Sequence, residues 1–250
     1  MILSVQGIQF HYPGRPVLDE VTFEVETGQV LAILGTNGTG KTTLLKCINR
    51  ILTPAAGAVL VDEESTALLS RKALAQKMGY VEQQRASSRA TVFNTVLLGR
   101  KPYIRWDITQ RDMAIAGQAL ASLGLADYAL RYLDELSGGE LQKVVIARAL
   151  AQEPEILLMD EPTNSLDLKN QLEVVHLIRQ ISRERGIAAV VTMHDLNLAL
   201  RFADRFILLK DRTIYAAGGP EIMTPESIQS VYAVPVTVAA HNGIRVVIPL

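Results

Sequence analysis

Residues 35–42 read Gly-Thr-Asn-Gly-Thr-Gly-Lys-Thr, which satisfies the pattern G-x-x-x-x-G-K-[ST]. Val30 to Leu34 before it is an unbroken apolar run, and the residues from Lys41 to about Leu52 carry a helical pattern closed by Pro54. A short apolar run ending in glycine predicts a strand buried on both faces, as in a parallel sheet covered by helices. Glycines let successive backbone N–H groups turn inward as an anion nest, and the next helix aims its positive end at the same point. Lys41 adds a point charge for the outer phosphates, and the Thr42 hydroxyl is suited to ligate Mg²⁺. The segment therefore predicts a strand–loop–helix unit that grips the phosphates of a nucleotide.

Composition removes competing classes. With 25 Lys+Arg against 26 Asp+Glu and a formal net charge of -1, the chain lacks the basic footprint of a nucleic-acid binder. Cys47 is the single cysteine, which excludes an internal disulfide framework and fits a reducing compartment. Met1 to Gly7 shows neither a basic n-region nor a long apolar core, so no secretory signal is expected. No run approaches the ~18–20 apolar residues that span a bilayer. A soluble cytosolic protein is expected, one large domain or two lobes sharing a core.

The pattern along the chain is α/β with a helical insertion. Val5, Ile8, Phe10 and then Val21 to Val25 alternate between turn signals at Pro13-Gly14 and Thr27-Gly28, as antiparallel strands with one wet face do. From Thr91 to Leu133 strand signals give way to helical texture, with Thr109 to Asp112 as a helix start and Gly124 as a helix end. Apolar strands return at Ile156–Met159 and Ile187–Val191, separated by a helix bearing Leu172, Val175, Ile178 and Ile181 and closed by Gly186. Near the end, Asn242-Gly243 between two alternating runs is a strong hairpin signal.

Two further segments carry chemistry. The apolar run Ile156–Met159 ends in Asp160-Glu161. At the carboxyl edge of a parallel sheet such acids fall in the ligand crevice, and beside a phosphate loop metal binding is the better assignment for Asp160, with Glu161 as general base. Ser137-Gly138-Gly139 opens a second helix, from about Leu141 to Leu150. On spacing alone this is either an ordinary serine cap or a second anion-accepting N-terminus.

In family order, over about Leu3 to Ala217, the phosphate loop, Leu136-Ser137-Gly138-Gly139, the acidic strand end and His194 after the next strand resemble the nucleotide-binding subunit of an ATP-binding-cassette (ABC) transporter. The resemblance implies a P-loop NTPase core with a mixed, mainly parallel sheet, an N-terminal antiparallel β-subdomain and an inserted α-helical subdomain. Its lobes fall at 1–84 with 150–217, and at 85–149, with a C-terminal helix and hairpin over 218–250. It implies ATP and Mg²⁺ as cofactors. Gly35, Thr36, Asn37, Gly38, Thr39, Gly40, Lys41, Thr42 and Thr43 correspond to the phosphate loop, and Tyr12 to the aromatic that stacks on adenine. Gln83 matches the glutamine that joins Mg²⁺, although Gln84 beside it leaves the register open by one residue. Metal ligation then falls to Thr42, Gln83 and Asp160, catalysis to Glu161, His194, Gln83 and Lys41. Ser137, Gly138, Gly139 and, in Ser165-Leu166-Asp167, Asp167 would belong to the interface of a head-to-tail pair, the serine and glycine reaching the other subunit's γ-phosphate. Glu140 departs from the glutamine common in the family and is expected to face away from the triphosphate or to pair with Lys143.

The segment Thr91 to Tyr103 and the ending Pro225 to Val236 resemble the branch that imports metal chelates such as ferric siderophores, haem or cobalamin, with molybdate relatives nearby. The implied partners are a second copy of the chain, transmembrane permease subunits and, indirectly, a substrate-binding protein, with neither nucleic acid nor direct lipid insertion. The implied location is the cytoplasmic face of the membrane, through the permease. A DNA-repair relative would need a long coiled coil between Gly35 and Ser137, and no sustained heptads occur there. An iron–sulfur cluster assembly ATPase of this length is the remaining alternative. The tail from about Glu221 to Leu250 is assigned no chemistry.

Overall fold

The computed structural model of the chain describes residues 1–82, 89–241 and 243–250. Strands β1 (Leu3–Tyr12), β2 (Arg15–Val25), β4 (Ala56–Val61) and β5 (Glu64–Ser65) form an antiparallel sheet in the order β2-β1-β4-β5. A second sheet runs β10-β9-β3-β8-β7-β6, built from β3 (Val30–Leu34), β6 (Met78–Val81), β7 (Ile156–Asp160), β8 (Ala188–Met193), β9 (Arg205–Lys210) and β10 (Thr213–Gly218). Its five strands from β9 to β6 are parallel, and only the edge strand β10 is antiparallel. This is the mixed sheet of a P-loop NTPase core.

The alternation of β3 explains how two cores share one sheet. Successive residues on a strand face opposite ways. Val30, Ala32 and Leu34 join one apolar cluster, with the helices α3 (Val92–Leu97), α4 (Gln110–Ser122), α5 (Gly138–Leu150) and α6 (Leu168–Arg185). Leu31 and Ile33 join the other, with α1 (Lys41–Ile48), α2 (Arg71–Lys77) and the antiparallel sheet. All five residues of β3 are buried, as the unbroken apolar run requires.

Local signals act where they stand in the sequence. Thr109 and Asp112 close a reciprocal capping box at the start of α4, and Gly186 ends α6 in the left-handed conformation at φ 66°. Helix α1 stops at Ile48 rather than near Leu52, because Arg50 takes φ 53°, outside the helical region. The helix after Ser137 begins at Gly138 rather than Leu141. Helix α7 (Leu196–Ala199) follows β8, and a C-terminal unit completes the fold: α8 (Pro225–Tyr232) and the hairpin β11 (Val236–His241) with β12 (Ile244–Pro249). Asn242 of the hairpin signal lies outside the described residues. Among the described residues no helix is long and apolar enough to cross a membrane.

Candidate functional site

The loop between β3 and α1 shapes the floor of a cleft of about 630 Å³. Gly40 caps α1 at φ 100°, a conformation that side chains rarely adopt, and a Cβ there would meet Val17 and Leu18 of β2 at 3.0 Å. The antiparallel sheet is therefore seated directly on the loop. Lys41 is 5% exposed, and its Nζ donates to the carbonyls of Gly35 at 2.9 Å and Thr36 at 3.1 Å. Burial lowers its pKa, while Glu161 and Asp160 oppose the shift. The ammonium is thus held inside the loop by groups weaker than a phosphate. The Thr39 hydroxyl turns back to the Thr36 carbonyl at 2.9 Å.

The acidic strand end meets this loop from the neighbouring strands. Asp160, the last residue of β7, is 2% exposed. Its Oδ1 accepts from the Thr42 hydroxyl at 3.0 Å and from the Thr192 hydroxyl at 2.7 Å. Glu161 leaves the strand at φ 49°, a left-handed turn uncommon for a residue with a side chain. That turn, rather than strand alternation alone, separates the two carboxylates. The Glu161 carboxylate contacts His194 Nε2 and accepts from Asn164 Nδ2 at 3.3 Å. Its backbone N–H donates to Thr192 Oγ1 at 3.0 Å.

Asp160 and Thr42 offer two hard oxygen donors beside the loop. That donor set fits Mg²⁺, which takes one or two carboxylates and completes its shell with phosphate and water oxygens. Among the described residues no cluster of three or more His, Cys, Asp or Glu could hold a metal by itself.

The cleft brings together Tyr12, Asn37, Gly38, Gly40, Lys41, Thr42, Thr43, Glu161 and His194 of the residues marked in the sequence. Tyr12 closes one end, 42% exposed and edge-on to Phe10 with ring centroids 5.0 Å apart. Gln83, with Gln84, lies outside the described residues.

The serine–glycine segment does not line this cleft. Ser137 caps α5, accepting from the Glu140 N–H at 3.3 Å, while Glu140 Oε2 accepts from the Ser137 N–H at 2.8 Å. This exchange, led by the Ser137 hydroxyl, holds the Glu140 carboxyl below the usual range. The expected partner of Glu140 is corrected: Lys143 pairs with Glu173 of α6 at 2.7 Å. Gly139 is pressed against Asn170, whose side-chain amide would collide with a Cβ there. Asp167 caps α6 by accepting from Asn170 N at 2.8 Å.

Sequence reading missed three residues at the site. Arg15 and Asn164 line the cleft, and neither carries a local signal. Thr192 did carry one, a hydroxyl inside the otherwise apolar run Ile187–Met193. It is fully buried, and such a group needs a partner.

Residues 18–164 match the family model described as "ABC transporter". The chain is 56% identical over 250 residues to an uncharacterised ABC transporter ATP-binding protein of Methanocaldococcus jannaschii, covering 100% of this chain and 98% of that one. It is 39% identical over 234 residues to the achromobactin transport ATP-binding protein of Dickeya dadantii, covering 92% and 87%. The structure resembles that of a metal-chelate type ABC transporter in an inward-facing conformation, with TM-score 0.87 and 31% identity over 100% of this chain and 97% of that one. The chain belongs to the ABC transporter family and is an ATP-binding cassette ATPase.

Proposed function

We propose that two copies of this chain close head-to-tail around two ATP molecules and drive a membrane permease that imports a metal chelate. The observation that carries the reading is the convergence of Lys41, Thr42, Glu161 and His194 on one cleft from which Ser137 is absent. Half of an ATP site is assembled, and the serine–glycine helix start is left for another copy's nucleotide.

Tyr12 stacks on adenine, and the loop N–H groups with Lys41 hold the phosphates. Thr42 and Asp160, with Gln83 as the resemblance implies, would hold Mg²⁺, which would supply neutralisation of the phosphate charge. Glu161 takes the proton of the attacking water, and His194, in contact with it, leans on the γ-phosphate. Ser137 and Gly139 reach the nucleotide of the other copy, and Asp167 lies at the shared interface. Most of this chemistry is positioning and charge neutralisation. Glu140, engaged with Ser137, takes no part.

A second cleft, of about 610 Å³, is the proposed permease seat, between the helical lobe and the sheet. Arg50, Arg71, Tyr80, Leu98, Arg148 and Gln152 line it. The Tyr80 hydroxyl there is enclosed without a hydrogen-bond partner among the described residues, and the arginines favour a segment rich in carboxylates or free carbonyls. The metal-chelate cargo is supported by the achromobactin relative and the metal-chelate type structure. Location at the cytoplasmic face of the membrane follows from the permease, together with an indirect link to a substrate-binding protein.

The test is co-purification with candidate permeases, followed by ATPase assays of the reconstituted complex with ferric siderophores, haem and cobalamin. Stimulation by one chelate supports import. A complex that forms but answers to none of them overturns the cargo, and failure to form a complex overturns the transport role.

A further inference from the structure

The C-terminal hairpin meets the fold beside the nucleotide cleft at α7, which begins two residues after His194. Asn197 on this helix donates from Nδ2 to the Val247 carbonyl of β12 at 3.0 Å. The Val247 N–H returns a bond to Asn197 Oδ1 at 2.7 Å. An amide side chain thus meets the hairpin edge as a neighbouring strand would. A helix of one turn has little stability of its own, so the hairpin supports the turn from which His194 projects. Below this contact, Val236 and Val247 share a core with Met193 and Leu198.

We propose that the C-terminal hairpin is a positioning element of the ATP site, in which Asn197 holds the His194 turn through Val247. The inference rests on the reading of the cleft as an ATP site.

Two variants of the full chain test the contact. Asn197→Ala is expected to lower kcat by ~5- to 20-fold while the affinity for a fluorescent ATP analogue stays within ~2-fold. Asn197→Asp, which keeps the acceptor and loses the donor, is expected to fall between Asn197→Ala and wild type. A merely structural role would lower the melting temperature and leave both kinetic readouts at wild-type values. That result, in the folded variants, overturns the inference. Wild-type chain that neither binds nor turns over ATP contradicts the underlying reading instead.

Discussion

Thr192 donates its hydroxyl to Asp160 Oδ1 at 2.7 Å, across the pairing of β7 with β8 that places these two residues opposite each other. The same oxygen of Thr192 accepts the Glu161 N–H. One hydroxyl therefore orients one carboxylate and anchors the backbone of the next. Thr192→Val keeps the shape and removes both bonds. Leaving a buried carboxylate and N–H short of partners is expected to cost about 1–3 kcal/mol. Misplacing Glu161 is expected to cost ~10- to 100-fold in turnover. Denaturant unfolding and a steady-state ATPase assay measure the two effects.

Lys41 is the buried cation of the loop, and its carbonyl partners are ones it can exchange for phosphate. Lys41→Met preserves the apolar stem. A charge-assisted bond to phosphate is worth ~1.5–3 kcal/mol, so ATP affinity is expected to drop by ~10- to 150-fold. Equilibrium titration with a fluorescent nucleotide measures it, and unchanged affinity would remove Lys41 from the phosphate site.

Arg100 ties the helical segment to the loop after α5. It is 2% exposed and donates to Asp112 at 3.1 Å, to the Ala151 carbonyl at 2.8 Å and to Glu153 at 2.7 Å. Breaking a buried pair by removing one partner costs about 3–5 kcal/mol, the loss expected for Arg100→Met. The pH dependence has a definite sign. The Thr109 hydroxyl first, with the Thr109 amide and Arg100, holds the Asp112 carboxyl below its ordinary value. Its contribution is present above the unfolded value of ~3.9 and is lost as pH falls through the lower folded value. Asp112→Asn should therefore be destabilised against wild type at pH 7, by a margin that narrows below about pH 4. Urea unfolding at pH 7 and pH 3 measures that margin.

Ser137→Ala tests the shared site. Loss of the helix cap alone is expected to cost about 1 kcal/mol, which thermal unfolding separates from catalysis. In mixed dimers with a chain inactivated at Glu161, hydrolysis should be lost when Ser137→Ala stands on the inactive chain, opposite the competent site. Hydrolysis independent of the partner's residue 137 contradicts the head-to-tail pair.

What the sequence made legible was chemistry written within a few residues. The phosphate loop, the capping box of α4 and the glycine stop of α6 depend on backbone geometry set locally, and the alternation of β3 fixed which residues face which core. Contacts between distant segments were not legible. Arg15 and Asn164 reach the cleft only because β2 and the turn after β7 fold over the same loop. Lys143 lies one helical turn from Glu140, yet the packing of α5 on α6 supplies Glu173 as the nearer acid. Glu140 was already committed to the Ser137 amide. The left-handed turn at Glu161 also left no mark in the pattern, because a residue with a Cβ adopts it only where the surroundings impose it.

The role of Glu161 as the base that activates water is tested most directly by Glu161→Gln, an isosteric change that removes the proton acceptor. ATP binding and ATP-dependent dimerisation are measured by analytical size exclusion, beside single-turnover hydrolysis. The account predicts retained binding, hydrolysis reduced by at least ~10²-fold and accumulation of an ATP-held dimer. Turnover at the wild-type rate, with no dimer accumulating, would contradict it.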